Sequence, residues 1–109
     1  FRVAIVFSKA ETAWAFKENV EEFIALKFPQ VKQVFTQWQK TWNCSVNYFF
    51  CSAFGMRGEP PRPNMKTIKR DQQGIKAVIA NPDIWQPWGL VAPLYWLQTG
   101  KIDPKLREI

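Results

Sequence analysis

Histidine is absent from this chain of 109 residues, and cysteine occurs only twice. The absence of histidine excludes the usual general base, the Ser-His and Cys-His nucleophile pairs and the commonest metal ligand. The two cysteines, Cys44 and Cys51, are too few to complete a tetrahedral zinc site. We expect two reduced and mostly buried thiols in an intracellular, reducing environment, with a disulfide as the alternative. No metal site is expected.

The sequence also lacks a membrane-spanning segment and the common catalytic motifs. No run of 18 apolar residues occurs, so an ordinary membrane span is not expected. The segment 55–58 (GMRG) lacks the GxxxxGK[ST] pattern that cradles phosphate, and no C-x-x-C motif occurs. Glu18, Glu21 and Glu22 are expected on a solvated helix face and not as an acid-base pair. The sequence therefore predicts a protein that is not an enzyme and needs no cofactor.

Aromatic residues and positive charge are abundant. Six Trp and nine Phe exceed what the core of one domain of this length needs. Aromatic side chains are favoured at interfaces, because they cover a large area at low entropic cost. The net charge of +6 suits an anionic partner, which would be a nucleic acid or a phospholipid surface. The chain begins at Phe1 and not at Met, which is compatible with removal of a targeting segment.

The first 30 residues predict a strand followed by a helix. Arg2–Phe7 consists mainly of β-branched and aromatic residues and is typical of a buried strand. Ser8 and Glu11 have the spacing of a capping box, and Pro29 closes the helix that follows. The apolar residues of that helix recur at 3.6-residue spacing, at Phe16, Val20, Phe23, Ile24 and Phe28.

Residues 31–54 allow two interpretations. The apolar residues of 31–42 fit one face of a helix, but a strand at Val31–Gln37 followed by a turn is the alternative. Residues 45–54 are rich in strand formers, although they also show a helical spacing. We favour strands, because a second helix so soon after Pro29 needs a very tight corner and the first strand needs hydrogen-bond partners. The predicted class is α/β, with a mainly α bundle as the alternative.

The second half predicts a loop, a helix and an aromatic tail. Gly55–Pro63 reads as a loop, and Asn64 as the cap of a helix that ends near Ala80. The tail after it is broken by prolines and ends in a helical turn that begins at Asp103-Pro104. We expect residues 1–80 to form a single globular domain and residues 81–109 to form a C-terminal extension that packs on the domain or on a partner. Three tryptophans are expected near the core, namely Trp14, Trp38 and Trp42.

Two groups of residues are candidates for binding. The stretch from residue 57 to 76 holds six positive residues against Glu59 and Asp71, and four of the six are expected to share one exposed helix face. They predict contacts to nucleic acid or phosphate, with a merely solvated face as the alternative. The six are Arg57, Arg62, Lys66, Lys69, Arg70 and Lys76.

The second group lies in the aromatic tail. These side chains are expected to bind a partner or to pack back on the domain; stacking on unpaired bases and a place at a membrane interface are further interpretations. The group consists of Trp85, Trp88, Tyr95 and Trp96.

The phrase F-x-x-x-x-x-P-Q-V, from Phe23 to Val31, together with the predicted order β-α-β-β-α, resembles a thioredoxin-like family. Its members are small mitochondrial ribosomal proteins and a peripheral accessory subunit of respiratory complex I. Asn81-Pro82 followed by Trp85 is also similar to the aromatic tails of some ribosomal members. Two features depart from the family: its Asn-Pro pair before the second strand is missing, and the loop Gly55–Pro63 has no counterpart.

The resemblance implies a small thioredoxin-like β-α-β-β-α domain, a mitochondrial location and a structural role. The leading hypothesis is a non-catalytic structural subunit of a large assembly, a mitochondrial ribosome or a respiratory complex. Its expected partners are the protein subunits of that assembly, RNA, and a membrane surface contacted peripherally without a span. The alternative is a stand-alone nucleic-acid-binding or membrane-surface module of the viral matrix type.

Overall fold

The fold contains both helices and strands, so the mixed α/β class is confirmed and the mainly α alternative is excluded. A computed structural model describes residues 1–10, 14–15 and 19–108. Short 3-10 helices lie at Pro82–Ile84 and Pro104–Glu108. The order of the longer elements is β1 (Arg2–Phe7), α1 (Val20–Lys27), α2 (Pro29–Trp42), β2 (Ser45–Phe50), β3 (Met56–Arg57), β4 (Arg62–Pro63), β5 (Met65–Asp71), β6 (Gly74–Ile79) and α3 (Ala92–Thr99).

Strands β1 and β2 form a two-stranded parallel sheet, in register from Arg2 opposite Ser45 to Phe7 opposite Phe50. Helices cover both faces of this sheet, as parallel strands require. On one face the rings of Phe7 and Phe50 contact Phe23 of α1, with centroids 5.9 and 5.0 Å from it. On the other face α3 packs against β1. The body is therefore three layers thick.

The second face carries the buried core cluster of Phe49, Ala92 and Trp96, with Ala4 and Leu106 packed against it. Two of the three buried residues belong to α3, so this part of residues 81–109 packs on the body. The domain boundary at residue 80 stays a prediction.

Two antiparallel hairpins follow the sheet in the chain. The smaller one pairs β3 with β4 through a turn that contains a cis peptide bond between Glu59 and Pro60. The larger one pairs β5 with β6, and each of its strands packs mainly on the other. Asn64, which is fully buried, lies between the two hairpins.

The predicted start of the first helix is wrong. Ser8 lies in a bend, and α1 begins at Val20 with Asn19 as its cap. The Asn19 Oδ1 accepts from the Glu22 N–H at 3.1 Å, and its Nδ2 donates to the Glu22 carboxylate at 3.3 Å. These bonds satisfy part of the helix terminus. The predicted helix residues Glu11, Phe16 and Glu18 lie outside the described residues.

The predicted strand at Val31–Gln37 is also wrong, because these residues lie in α2. The corner between the helices is made by one residue, Phe28, whose φ of −137° and ψ of 58° interrupt the first helix. Pro29 then begins the second helix. Proline is tolerated there because the first N–H groups of a helix have no intrahelical partner, so the absence of an N–H costs no hydrogen bond. The strand predicted after it is confirmed over Ser45–Phe50.

The predicted helix over residues 64–80 is wrong as well. This segment is the β5–β6 hairpin, and Asn64 caps no helix. Its turn is stabilised by the Asp71 Oδ1, which accepts from the Gln73 N–H at 2.8 Å. Gly74 has a φ of 119°, which other residues rarely adopt. The predicted order β-α-β-β-α is therefore not observed, and the thioredoxin-like topology is not confirmed.

The C-terminal segment is less broken by proline than expected. Residues 92–99 form a regular helix, because Pro93 lies in its first turn, where proline is tolerated. The predicted last turn is confirmed: Asp103 Oδ1 accepts from the Lys105 N–H at 3.0 Å, and Pro104 begins the 3-10 helix. The loop predicted at Gly55–Pro63 contains the small β3–β4 hairpin.

Candidate functional site

Cys44 and Cys51 lie beyond opposite ends of β2 and are not bonded to each other; the predicted burial holds for Cys44, whereas Cys51 is half-buried. The predicted reducing environment stays a prediction. Cys44 is buried, and its Sγ lies 3.6 Å from the Trp38 carbonyl oxygen. Among the described residues no group of three or more cysteine or acidic side chains is placed to hold a metal ion.

Three lysines share one face of the β5–β6 hairpin, and we call Lys66, Lys69 and Lys76 the lysine face. Directly paired residues of an antiparallel ladder project to the same side, and neighbours along a strand to opposite sides. Lys69 pairs with Lys76, so these two share a side. Lys66 pairs with Val78, which is two residues from Lys76 and thus on that side too.

A β-bulge creates this arrangement. In a regular strand, residues three positions apart project to opposite faces, which would separate Lys66 from Lys69. The ladder is irregular between Thr67 and Lys69, where Ile68 is the extra residue. The extra residue restores Lys69 to the face of Lys66. The shared exposed face that the sequence predicted for a helix therefore exists in part, on a strand.

The other predicted basic residues lie elsewhere. Arg70 pairs with Ile75, so it projects from the opposite side of the hairpin. Arg57 and Arg62 pair with each other across the smaller hairpin, where the Arg57 Nε donates to the Pro63 carbonyl at 3.3 Å. The six residues thus form three groups and not one surface.

Both hairpins place like charges directly opposite each other, as Lys69 with Lys76 and Arg57 with Arg62. Such pairs destabilise a ladder, since their side chains lie close together. Lys69 also forms an ion pair with Asp71 at 3.3 Å, but both side chains are exposed enough for this pair to contribute little. An anionic partner would relieve the repulsion in both hairpins.

The predicted aromatic group packs largely on its own domain. Trp96 is only 6% exposed and lies in the core against Phe49. Trp88 is half-buried, contacts the ring of Trp14 and exchanges two backbone hydrogen bonds with Ser52. Trp85 is 47% exposed, but its indole N–H donates to the Ala53 carbonyl at 2.7 Å. Tyr95 is half-buried on α3.

A second exposed aromatic surface lies on α2. Trp38 and Trp42 were expected near the core, and this prediction is wrong, because they are 42% and 63% exposed. With Val34 they form a stripe that we call the α2 ridge, and α2 contains no buried residue. The spacing of its apolar residues was the signal that could have identified this ridge. Trp14, also expected near the core, is half-buried.

A groove that the sequence did not predict follows the outer edge of β2 and has a volume of about 240 Å³. Glu21 from the first turn of α1 and Asp103 from the C-terminal segment both line it. Tyr48 lies in its floor; partial burial and the Glu21 carboxylate raise the pKa of the Tyr48 phenol above its ordinary value of 10.0.

Within the described part of the chain, no helix has the length and apolar character needed to cross a membrane. Comparison of the chain with protein-family models, curated proteins and solved structures finds no match.

Proposed function

We propose that this protein is a non-catalytic structural subunit of a large RNA-containing assembly, and that its β5–β6 hairpin binds RNA phosphates. The lysine face carries the proposal: three cations share one side of a projecting hairpin, although two of them repel each other across the ladder. Phosphate contacts need cations on an accessible surface and little further geometry.

The α2 ridge supports the role of a subunit. Val34, Trp38 and Trp42 expose apolar and aromatic surface, and such residues supply much of the binding energy at protein interfaces. A protein neighbour that covered the ridge would remove this surface from water. The proposed protein therefore contacts RNA through the hairpin and protein through α2.

The resemblance of Phe23–Val31 to the thioredoxin-like family leads us to propose the mitochondrial ribosome as that assembly. The unit β1-α1-α2-β2, with its parallel strands, is compatible with the first part of such a fold. The family also includes a respiratory-complex subunit, but a lysine face suits an assembly built on RNA better. The mitochondrial location and the thioredoxin-like relationship are both part of this proposal.

RNA binding is tested with the full chain and a fluorescein-labelled RNA stem-loop by fluorescence anisotropy at low salt. Replacing Lys66, Lys69 and Lys76 together by Ala should weaken binding by about tenfold or more. The matched control replaces Lys40, Lys101 and Lys105, which are exposed elsewhere, and has the same change in charge. Equal losses in the two triple variants, or no binding by the native chain, would refute the hairpin as the RNA contact.

Membership in an assembly is tested by purifying the tagged chain from its native source. We expect ribosomal RNA and several proteins to accompany it, and nuclease treatment to release part of them. A monomer that carries neither RNA nor protein would contradict the proposal.

A further inference from the structure

The groove along β2 is built from four segments of the chain. Its floor is the outer edge of β2 over residues 47–50, and one wall is formed by residues 19–21 at the start of α1. The other wall is formed by Trp88, Gly89 and Ala92 together with residues 102–103. Its volume of about 240 Å³ lies below the roughly 300–1,000 Å³ of small-molecule sites. The groove is therefore sized for one long side chain and a short stretch of backbone, and not for a whole cofactor.

The floor presents main-chain groups that the sheet does not use. Ser45 N–H donates to the Phe1 carbonyl and Cys51 N–H to the Phe7 carbonyl, so the odd-numbered residues of β2 face β1. The amide and carbonyl of Tyr48 and the amide of Phe50 consequently face the groove. The Phe50 carbonyl is covered instead, because Gly89 packs against it with no room for a Cβ between them. The Tyr48 N–H donates to the Oδ1 of its neighbour Asn47 at 2.9 Å. A peptide carbonyl can replace this side-chain acceptor.

The chain itself begins a third strand at this edge and then leaves it. Ser52 and Trp88 form an antiparallel bridge, with hydrogen bonds of 2.8 and 2.9 Å. The next hydrogen-bonded pair of this ladder would join Phe50 to Leu90. Gly89, with a φ of 72°, instead packs against the Phe50 carbonyl. The groove thus begins where this ladder ends, and the open part of the β2 edge lies at Tyr48.

The charges in the groove are opposite in sign to those of the molecule. Glu21 and Asp103 are its charged lining residues among the described part of the chain, whereas the net charge is +6. Trp88, Ala92 and Ile102 supply apolar surface beside the carboxylates. An RNA phosphate would be repelled here, while the ammonium or guanidinium group of a side chain would be attracted.

We propose that this groove binds an extended segment of a partner protein, which adds as an antiparallel strand to the β2 edge and places a Lys or Arg side chain against Glu21 and Asp103. Main-chain hydrogen bonds would give such a strand affinity, and the carboxylates would give it specificity. This site is separate from the lysine face and does not depend on RNA binding.

The first test uses the uniformly ¹⁵N-labelled full chain and the blocked peptide acetyl-Thr-Val-Lys-Val-Thr-amide. Addition of the peptide should shift the amide resonances of Tyr48 and Phe50 and the signals of Trp88. The same peptide with Glu in place of Lys should leave them unchanged, and N-methylation of its valines should weaken binding because it removes strand donors. Shifts confined to other surfaces, equal effects of the Lys and Glu peptides, or no shift at millimolar peptide would overturn the proposal.

The second test removes the carboxylates without changing their shape. Asp103→Asn and Glu21→Gln should each weaken binding of the Lys peptide by about fivefold to tenfold, and Asn retains the capping ability of Asp103. Asp83→Asn, an exposed position outside the groove, has the same change in charge and should bind normally. Equal losses in all three variants would overturn the assignment of specificity to the groove.

A third test separates this site from the proposed function and from self-association. The Lys66, Lys69 and Lys76 triple variant should bind the peptide with unchanged affinity, even if RNA binding proves absent. Loss of peptide binding in that variant would overturn the separation of the two sites. Shifts of the groove amides on raising the protein concentration without peptide would identify a second copy as the occupant and overturn the choice of a partner.

Discussion

At the scale of single residues, Asn64 connects the larger hairpin to the body. Its Oδ1 accepts from the Asn81 N–H at 2.9 Å, and its Nδ2 donates to the Asn81 carbonyl at 3.1 Å. Its backbone N–H donates to the Gly55 carbonyl, and its own carbonyl accepts from Ala80. The side chain is fully buried, so these bonds are made away from water, where an unmade hydrogen bond is costly.

Replacing Asn64 by Ala should lower the free energy of unfolding by about 2–3 kcal/mol, because it leaves both backbone groups of Asn81 without this partner. Urea unfolding followed by far-ultraviolet circular dichroism measures the change. Gln72→Ala, at the exposed tip of the same hairpin, is the control and should change stability by less than about 0.5 kcal/mol. If Asn64→Ala lowered the free energy of unfolding by as little as Gln72→Ala, the buried amide would not contribute to stability.

Tyr48 predicts a dependence of stability on alkaline pH. Its pKa is raised in the folded state above 10.0, so its neutral form is favoured by folding. The stabilisation is present below pH 10 and is lost as the pH rises through the folded-state pKa. In a Tyr95→Phe background, absorbance at 295 nm should give a titration midpoint above 10.0, and Glu21→Gln should lower it. A midpoint that Glu21→Gln leaves unchanged would contradict the proximity of the two groups.

At the scale of secondary-structure elements, the tryptophans have roles opposite to those their positions in the sequence indicated. Trp96 belongs to the C-terminal segment but lies in the core, whereas Trp42 belongs to the predicted core but is exposed on α2. Trp96→Ala should cost about 3–5 kcal/mol of stability. Trp42→Ala should change it by less than about 0.5 kcal/mol. Thermal unfolding measures both changes. If Trp96→Ala does not fold, Trp96→Phe replaces it in the test and should show a smaller loss of stability.

The lysine face predicts a conflict between hairpin stability and RNA binding. Lys76→Glu replaces repulsion of Lys69 by attraction and should stabilise the hairpin by about 0.5 kcal/mol, while it weakens RNA binding. Amide hydrogen exchange at Lys66 and Val78, a hydrogen-bonded pair of the ladder, reports the local stability, and fluorescence anisotropy reports the binding. Lys105→Glu has the same change in charge and is the control. It should leave exchange of the hairpin amides unchanged and should weaken RNA binding less than Lys76→Glu does. Slower exchange without weaker binding would separate the lysine face from RNA.

The sequence predicted elements correctly where local composition and tertiary context agree. Arg2–Phe7 and Ser45–Phe50 are strands, because β-branched and aromatic residues suit a sheet covered on both faces. The turn at Asp103-Pro104 follows from two adjacent residues alone. The mixed α/β class also follows from these elements.

The errors arose where the spacing of apolar residues is compatible with both a helix and a pair of strands. Residues 65–79 contain apolar pairs that fit a helix, but Gly74 and the turn at Asp71 convert the segment into a hairpin. The corner at Phe28 was judged too tight, yet one residue and the following proline make it. The β2 groove could not be predicted from the sequence, because it brings together residues 19–21, 47–50 and 102–103.

At the scale of the whole molecule, the radius of gyration is 15.7 Å, whereas a compact domain of this length has roughly 13 Å. Its extents of 46 × 33 × 24 Å likewise describe an elongated particle. The larger hairpin packs mainly on itself, while the helices and the parallel strands pack together. The molecule is therefore a small body with an arm, an arrangement that lets RNA and protein partners bind different parts.

Removal of the arm should leave the body folded. The Ala80 N–H already donates to the Asn64 carbonyl, which is the hydrogen bond that closes a two-residue turn, so replacing residues 65–79 by Asn-Gly should join the two ends without strain. We expect the radius of gyration from small-angle X-ray scattering to fall toward about 13 Å, with cooperative unfolding retained. RNA binding should be lost and binding of the Lys peptide kept. A shortened chain that no longer unfolds cooperatively would show instead that the hairpin is part of the folding unit.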